Sequence, residues 1–144
     1  MPHETHFRKL ENMYHAAPCN AHYAPTLSVS QGHAEVTLPV RPDLFHAAGA
    51  VHGSVYFKAM DDSAFFSANS LVEDVFVLTS SFTVYFTRPI SSGQLRAVAD
   101  VVSQTGRQLI AEAVVYDAEG RQIGRGSGCF VKSAIPLGAK LGYK

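Results

Sequence analysis

Apolar and polar residues change their period along the chain, and each change marks an element. Between Thr5 and Tyr14, Phe7, Leu10, Met13 and Tyr14 recur at helical spacing, with Arg8, Lys9, Glu11 and Asn12 between them, which predicts a short amphipathic helix. Pro18 and Pro25 then punctuate a loop. Leu27 and Val29, followed by Ala34, Val36, Leu38 and Val40, alternate around Gly32 and predict a strand pair or one bent strand, stopped by Pro39 and Pro42. From Gly53 to Leu71 the pattern differs in kind. Val55, Tyr56, Phe57, Ala59, Met60, Ala64, Phe65, Phe66, Ala68 and Leu71 occupy every side of a helical wheel, and a helix apolar all round is buried by its own domain. Lys58, Asp61 and Asp62 interrupt it.

The rest of the chain has the two-residue period of strands. Phe76, Leu78, Phe82, Val84 and Phe86 share one parity, and Thr79, Ser81, Thr83, Tyr85 and Thr87 the other. Pro89 and Gly93 turn the chain into Leu95, Ala97, Ala99 and Val101; Thr105-Gly106 turns it again into Leu109, Ala111, Ala113 and Val115. Asp117-Ala118-Glu119-Gly120 is a hairpin loop, and Ile123, Cys129 and Val131 lie on a last strand. A long helix followed by a four-strand antiparallel meander predicts an α+β architecture with the helix on one sheet face. The expected organisation is a single domain over residues 1–144, with an N-terminal helix and loop (1–25) and a C-terminal tail (134–144).

Composition narrows the class. Of 144 residues, 47% are hydrophobic, which fits a globular chain and excludes a disordered one. Twelve basic side chains balance twelve acidic ones, so neither nucleic acid nor an anionic membrane is the expected partner. The two cysteines, Cys19 and Cys129, are too few for a disulfide scaffold and point to a reducing compartment. The chain opens without a signal-peptide pattern and holds no apolar run long enough for a bilayer, so the expected location is the cytoplasm.

Candidate chemistry concentrates in residues 46–62. A glycine at a helix start, as at Gly53, lets a ligand approach free backbone N–H groups whose dipole favours negative charge, such as a carbonyl oxyanion. The plainer explanation is that Gly53 permits the turn. Asp61 and Asp62 lie mid-way along a helix expected to be buried, where an unpaired carboxylate is costly. Lys58 pairs most naturally with Asp62 at i+4, which leaves Asp61 for function as a base or nucleophile. Nine residues separate His52 from Asp61, placing them about 13.5 Å apart along a helix and on opposite sides of it. If both serve one site, a second copy of the helix must supply one of them, as in a two-fold dimer with antiparallel helices.

His52-Gly53-Ser54 followed by Asp61 resembles the His-Gly-Gly…Asp signature of hotdog-fold acyl-CoA thioesterases of the phenylacetate-degradation (PaaI-like) type. The run Gly49-Ala50-Val51-His52-Gly53 and the Asp-x-x-Gly hairpin at 117–120 match as well, and the resemblance spans about Ala34 to Val131. It implies a hotdog fold, an antiparallel sheet wrapped around one long central helix. It also implies roles. Asp61 activates water or attacks the thioester itself, the Gly53 N–H polarises the carbonyl, His52 holds the loop and helps to place the thioester, and Thr79 bonds the water or carboxylate. Sites in the family are shared across a homodimer, which can pair again into a tetramer. His46 stands where many relatives carry Asn, and its imidazole could donate to a water or take a proton, leaving the general base open between Asp61 and His46. Ser54 replaces the second glycine and narrows the space beside the oxyanion site.

Arg88 and Arg107 are candidates for the phosphates of CoA, together with Ser54 as substrate-binding residues, although solvated strand charges explain most such arginines. Gly124, Gly126 and Gly128 alternate within a strand and are read as keeping one sheet face flat rather than cradling phosphate. His15, Cys19 and His22 lack a fourth ligand and zinc-type spacing, His3 and His6 are expected on a solvated terminus, and Cys129 in the core. The expectation is therefore a thioester hydrolase acting on an acyl-CoA, or less readily an acyl carrier protein, with no cofactor or metal. A hotdog dehydratase or hydratase, a non-catalytic acyl-CoA-binding protein and a bare structural dimer are the alternatives.

Overall fold

A computed structural model describes residues 2–144. Helix α1 (Pro2–Ala16) buries Phe7, Leu10, Met13 and Tyr14, the stripe its spacing predicts, and a single turn, α2 (Asn20–Tyr23), follows. Strands β1 (Thr26–Ser30) and β2 (His33–Pro39) are two strands rather than one bent one, joined where Gly32 takes φ +66°. Helix α3 (Gly53–Asn69) comes next, and then β3 (Val75–Phe86), β4 (Gln94–Thr105), β5 (Gln108–Tyr116) and β6 (Gln122–Pro136).

The six strands form one antiparallel sheet in the order β1-β2-β4-β5-β6-β3, and α3 lies across its concave side against β2, β4 and β5. The inner face of β4 and β5 is built from Ala97, Ala99, Ala111 and Ala113, all essentially inaccessible, beside Leu95, Leu109 and Val115. Small side chains there let the helix approach closely, and its own Ala59, Met60, Ala64 and Ala68 close the core. Among the described residues no helix is long and apolar enough to cross a membrane.

The predicted four-strand meander is corrected by the strand order: β4, β5 and β6 form a meander, but β3 lies beyond β6 at the sheet edge. The segment after β3 does not turn back on itself. Thr87 and Arg88 donate their N–H groups to the Ile123 carbonyl, the Ile90 carbonyl accepts from Val51, and the Gly93 carbonyl accepts from Val40. The chain thus crosses the end of the sheet from β6 to β2 and delivers β4 beside β2.

The parity expected of β3 is corrected as well. Val77 is its fully buried residue, while Leu78 and Phe86 are exposed. The register against β6 slips between Thr79 and Ser81, so Ser80 is a β-bulge. One extra residue reverses the facing of everything after it. Thr79 and Phe82, of opposite parity, therefore both face the helix side. Phe82 lies over β6, where a Cβ at Gly126 would come within 2.7 Å of its ring and one at Gly128 would meet it still more closely and Phe130 at 2.8 Å. The alternating glycines leave room for an aromatic ring from the neighbouring strand.

The termini are tied down. His6, expected in solvent, is 3% exposed: its Nε2 lies 2.9 Å from the Asn69 carbonyl and its Nδ1 2.7 Å from the Tyr143 hydroxyl. The expected tail from 134 is in part strand, since β6 runs to Pro136, and a 3-10 turn at Ala139–Leu141 leads to Tyr143 against α1. Helix α1 also lies along β1, the sheet edge opposite β3. Arg8 donates to the Val29 carbonyl at 2.7 Å, Glu11 accepts from the Val29 N–H at 2.8 Å, and His15 accepts from the Leu27 N–H at 3.2 Å.

Candidate active site

Two groups of side chains on α3 carry chemistry, one at its start and one mid-way. The start is held by residues 45–52. Phe45 and Val51 form a lone antiparallel bridge, the His46 N–H donates to the Ala50 carbonyl at 2.9 Å, and Gly49, at φ +84°, reverses the chain. His52 is the N-cap: its Nδ1 accepts from the Ser54 N–H at 3.0 Å, and the Ser54 Oγ lies 2.8 Å from the same nitrogen. The Val55 N–H turns back to the His52 carbonyl at 3.0 Å. Of the first three helical N–H groups, Gly53 alone has no partner among the described residues, so one donor at the positive end of the helix dipole stays free.

A residue with a side chain would crowd this point. A Cβ at Gly53 would lie 3.1 Å from the ring of Phe86, which meets Tyr56 edge-to-face. The Tyr56 hydroxyl donates to the Arg88 carbonyl at 2.7 Å and ties the crossover to the helix. An open cleft of about 710 Å³ results, lined by His46, His52, Gly53, Ser54, Phe86 and Arg88. Of the residues predicted to bind substrate, Ser54 and Arg88 thus line this cleft. Arg107 does not line it; it sits in the β4–β5 turn and donates to the Lys132 carbonyl at 3.1 Å.

The second group surrounds Asp61. The Thr79 hydroxyl donates to Asp61 Oδ1 at 2.9 Å; Thr79 shares the facing of Val77 two residues before it, whose N–H donates to the Asn69 side-chain oxygen at 3.0 Å and so ties the start of β3 to the end of α3. Burial raises the Asp61 pKa above the usual aspartate range; the Thr79 hydrogen bond opposes it, the Asp62 charge adds to it, and Lys58 offsets part. Asp62 is occupied on one oxygen by two donors, Lys58 Nζ at 2.9 Å and the Tyr14 hydroxyl at 2.7 Å. The i+4 pairing is the one expected. Tyr14, whose hydroxyl pKa is pushed up by burial and by that carboxylate, had no role assigned from sequence, although a tyrosine on the buried face of α1 must find a hydrogen-bond partner.

Asp61, Asp62, Lys58 and Thr79 share a cavity of about 300 Å³ whose apolar wall includes Phe65 and Phe76. Asp61 and Gly53 are eight residues apart on one straight helix, about 12 Å along its axis, and open into separate cavities. A free N–H donor and a carboxylate of raised pKa are both present, but one protomer does not bring them to one point. His15, Cys19 and His22 do not converge either: among the described residues no three His, Cys, Asp or Glu side chains are placed to hold a metal ion.

Residues 48–123 match the model of the Thioesterase superfamily. A Mycobacterium tuberculosis protein named "Putative esterase Rv1847" is 32% identical over 97 residues, covering 65% of this chain and 69% of that protein. A Sulfurisphaera tokodaii protein named "Putative esterase" is 26% identical over 69% of this chain and 74% of its own. Among solved structures, the E. coli PaaI protein from the phenylacetic acid degradation operon superposes with a TM-score of 0.85 at 19% identity, over 94% of this chain and 98% of that one. Family and relatives together support a thioester hydrolase. The matched segment runs from the His-Gly turn through α3 into the sheet, and the chain belongs to the thioesterase superfamily, on the same hotdog fold as PaaI.

Proposed function

We propose that the protein hydrolyses acyl-CoA thioesters, with Asp61 as general base and the Gly53 N–H as oxyanion donor. The observation that carries this reading is the state of Asp61: a half-buried carboxylate of raised pKa, held by the Thr79 hydroxyl, beside an apolar cavity, while its neighbour Asp62 is neutralised. Water bound at Asp61 gives its proton to the carboxylate as its oxygen bonds the thioester carbon. The carbonyl oxygen becomes an oxyanion at Gly53, and collapse breaks the C–S bond. The CoA thiolate leaves, taking a proton from Asp61 or from solvent, and the free acid remains. The cavity walled by Phe65 and Phe76 receives the acyl group; the wider cleft with Arg88 receives the CoA end. No step requires a metal or cofactor.

The same reading makes the working unit a homodimer. The gap between Gly53 and Asp61 closes if two α3 helices run antiparallel, each supplying one half of two sites. Support comes from Leu78, Tyr85 and Phe86 on the edge strand β3 and Phe57 on α3, large apolar side chains left exposed that a second copy would cover.

The test is free-thiol release from butyryl-, octanoyl-, palmitoyl- and benzoyl-CoA by wild type and Asp61→Asn. Release by wild type, reduced at least ~10²-fold in the variant, is expected of a positioned base. Release retained in Asp61→Asn removes Asp61 as the base. No release from any of the four, with water added to an enoyl-CoA instead, replaces hydrolysis by hydration.

A further inference from the structure

The start of α3 carries two imidazoles whose protonation pattern is set by backbone donors. The Ala48 N–H donates to His46 Nδ1 at 3.1 Å, and the Ser54 N–H donates to His52 Nδ1 at 3.0 Å. A backbone N–H can only donate, so each Nδ1 must offer its lone pair. In a neutral imidazole the single proton then resides on Nε2. Neither Nε2 has a hydrogen-bond partner among the described residues. Both rings line the cleft that also holds the unpartnered Gly53 N–H.

We infer that His46 and His52 are fixed as Nε2–H donors and, with the Gly53 N–H, form a three-donor site for the thioester oxygen. This rests on the hydrolase reading above and settles the part His46 plays in it. To act as a base, a neutral His46 would have to take the proton on Nδ1, the nitrogen already turned to Ala48. It serves as an Nε2–H hydrogen-bond donor to the oxygen on which charge develops, and the proton goes to Asp61. Three donors are a better match than one for an oxyanion, which offers three lone pairs. The loop geometry that fixes the tautomer is local: Gly49 turns the chain so that Ala48 faces back onto the ring two residues before it.

Glutamine separates donor from base, because its amide nitrogen reaches about as far as Nε2 and donates but cannot take a proton at neutral pH. With the acyl-CoA that wild type turns over fastest, His46→Gln is expected to keep kcat within about 5-fold, while His46→Leu loses roughly 10²-fold, the scale for one lost oxyanion donor. Equal loss in both variants, or none in His46→Leu, overturns the assignment. A second measurement does not depend on turnover. Long-range proton–nitrogen NMR of the wild-type imidazoles at neutral pH, with His46 assigned by its absence in His46→Gln, should show Nε2 protonated and Nδ1 bare for both rings. A protonated Nδ1 on His46 sinks the inference even if the protein is a thioesterase. The expected tautomers with no thiol release would instead leave the donors in place and remove the hydrolase reading.

Discussion

Asp61 and Asp62 are adjacent, chemically identical and opposite in state. Asp62 has Lys58 and Tyr14 on one oxygen, whereas Asp61 has a single hydroxyl and pays for its burial with a raised pKa. A carboxylate whose folded pKa exceeds its unfolded one contributes stability that is full below the unfolded value and is lost as pH rises through the folded value. Asn cannot ionise and keeps the Thr79 contact. Asp61→Asn should therefore be at least as stable as wild type at about pH 7, with an advantage that shrinks on acidification towards about pH 4. Thermal denaturation of both proteins at the two pH values checks this; an advantage that grows on acidification reverses the sign. The Lys58–Asp62 pair was legible because i+4 geometry is local. Tyr14 was not, since the contact joins residues 48 positions apart and only packing of α1 makes it.

Elements with one buried face were legible from their alternation: β2, β4 and β5 bury the residues their patterns predict, apart from Val40 beyond the end of β2 and Val101 at the β4 register shift, which are half-buried. Strand β3 was not, because a bulge is fixed by the partner strand, and nothing in residues 75–86 says that β6 will be that partner. The consequence is concrete, since Thr79 and Phe82 share a side only through Ser80. The glycines of β6 belong to the same arrangement. Gly128→Ala puts a methyl against the rings of Phe82 and Phe130, and the expected cost is about 1–3 kcal/mol in urea unfolding. Adding Phe82→Leu should restore part of the loss. Unchanged stability in the single variant would mean that the ring moves aside freely.

At the scale of the molecule, the strand order and the burial of His6 depend on contacts between distant segments, which is why neither could be read locally. The separation of Gly53 from Asp61 is a helix property and was legible. Its consequence can be tested by mixing variants. Gly53→Pro removes the N–H at the first helical position, where the helix backbone accepts proline and where His52 already has the extended conformation that proline requires, at ψ 144°; the proline ring has to push the Phe86 side chain aside by a few tenths of an ångström. Gly53→Pro and Asp61→Asn should each be inactive. Unfolded and refolded together in equal amounts, they should recover about a quarter of wild-type turnover, since half the dimers are mixed and one of their two sites is intact. No recovery, with mixed dimers demonstrated, would place both residues in one protomer's site.

The contacts between α1 and β1 bear on how far such assembly proceeds. Arg8 and Glu11 occupy both outward backbone groups of Val29 and His15 takes the Leu27 N–H, so α1 covers that edge and leaves an incoming strand little to pair with. Strand β3 forms the other edge. Along the direction in which sheets grow, each copy is thus monovalent. Two copies that meet through β3 use up each other's single bond, and the product is a finished pair with sealed ends instead of the first link of a fibre.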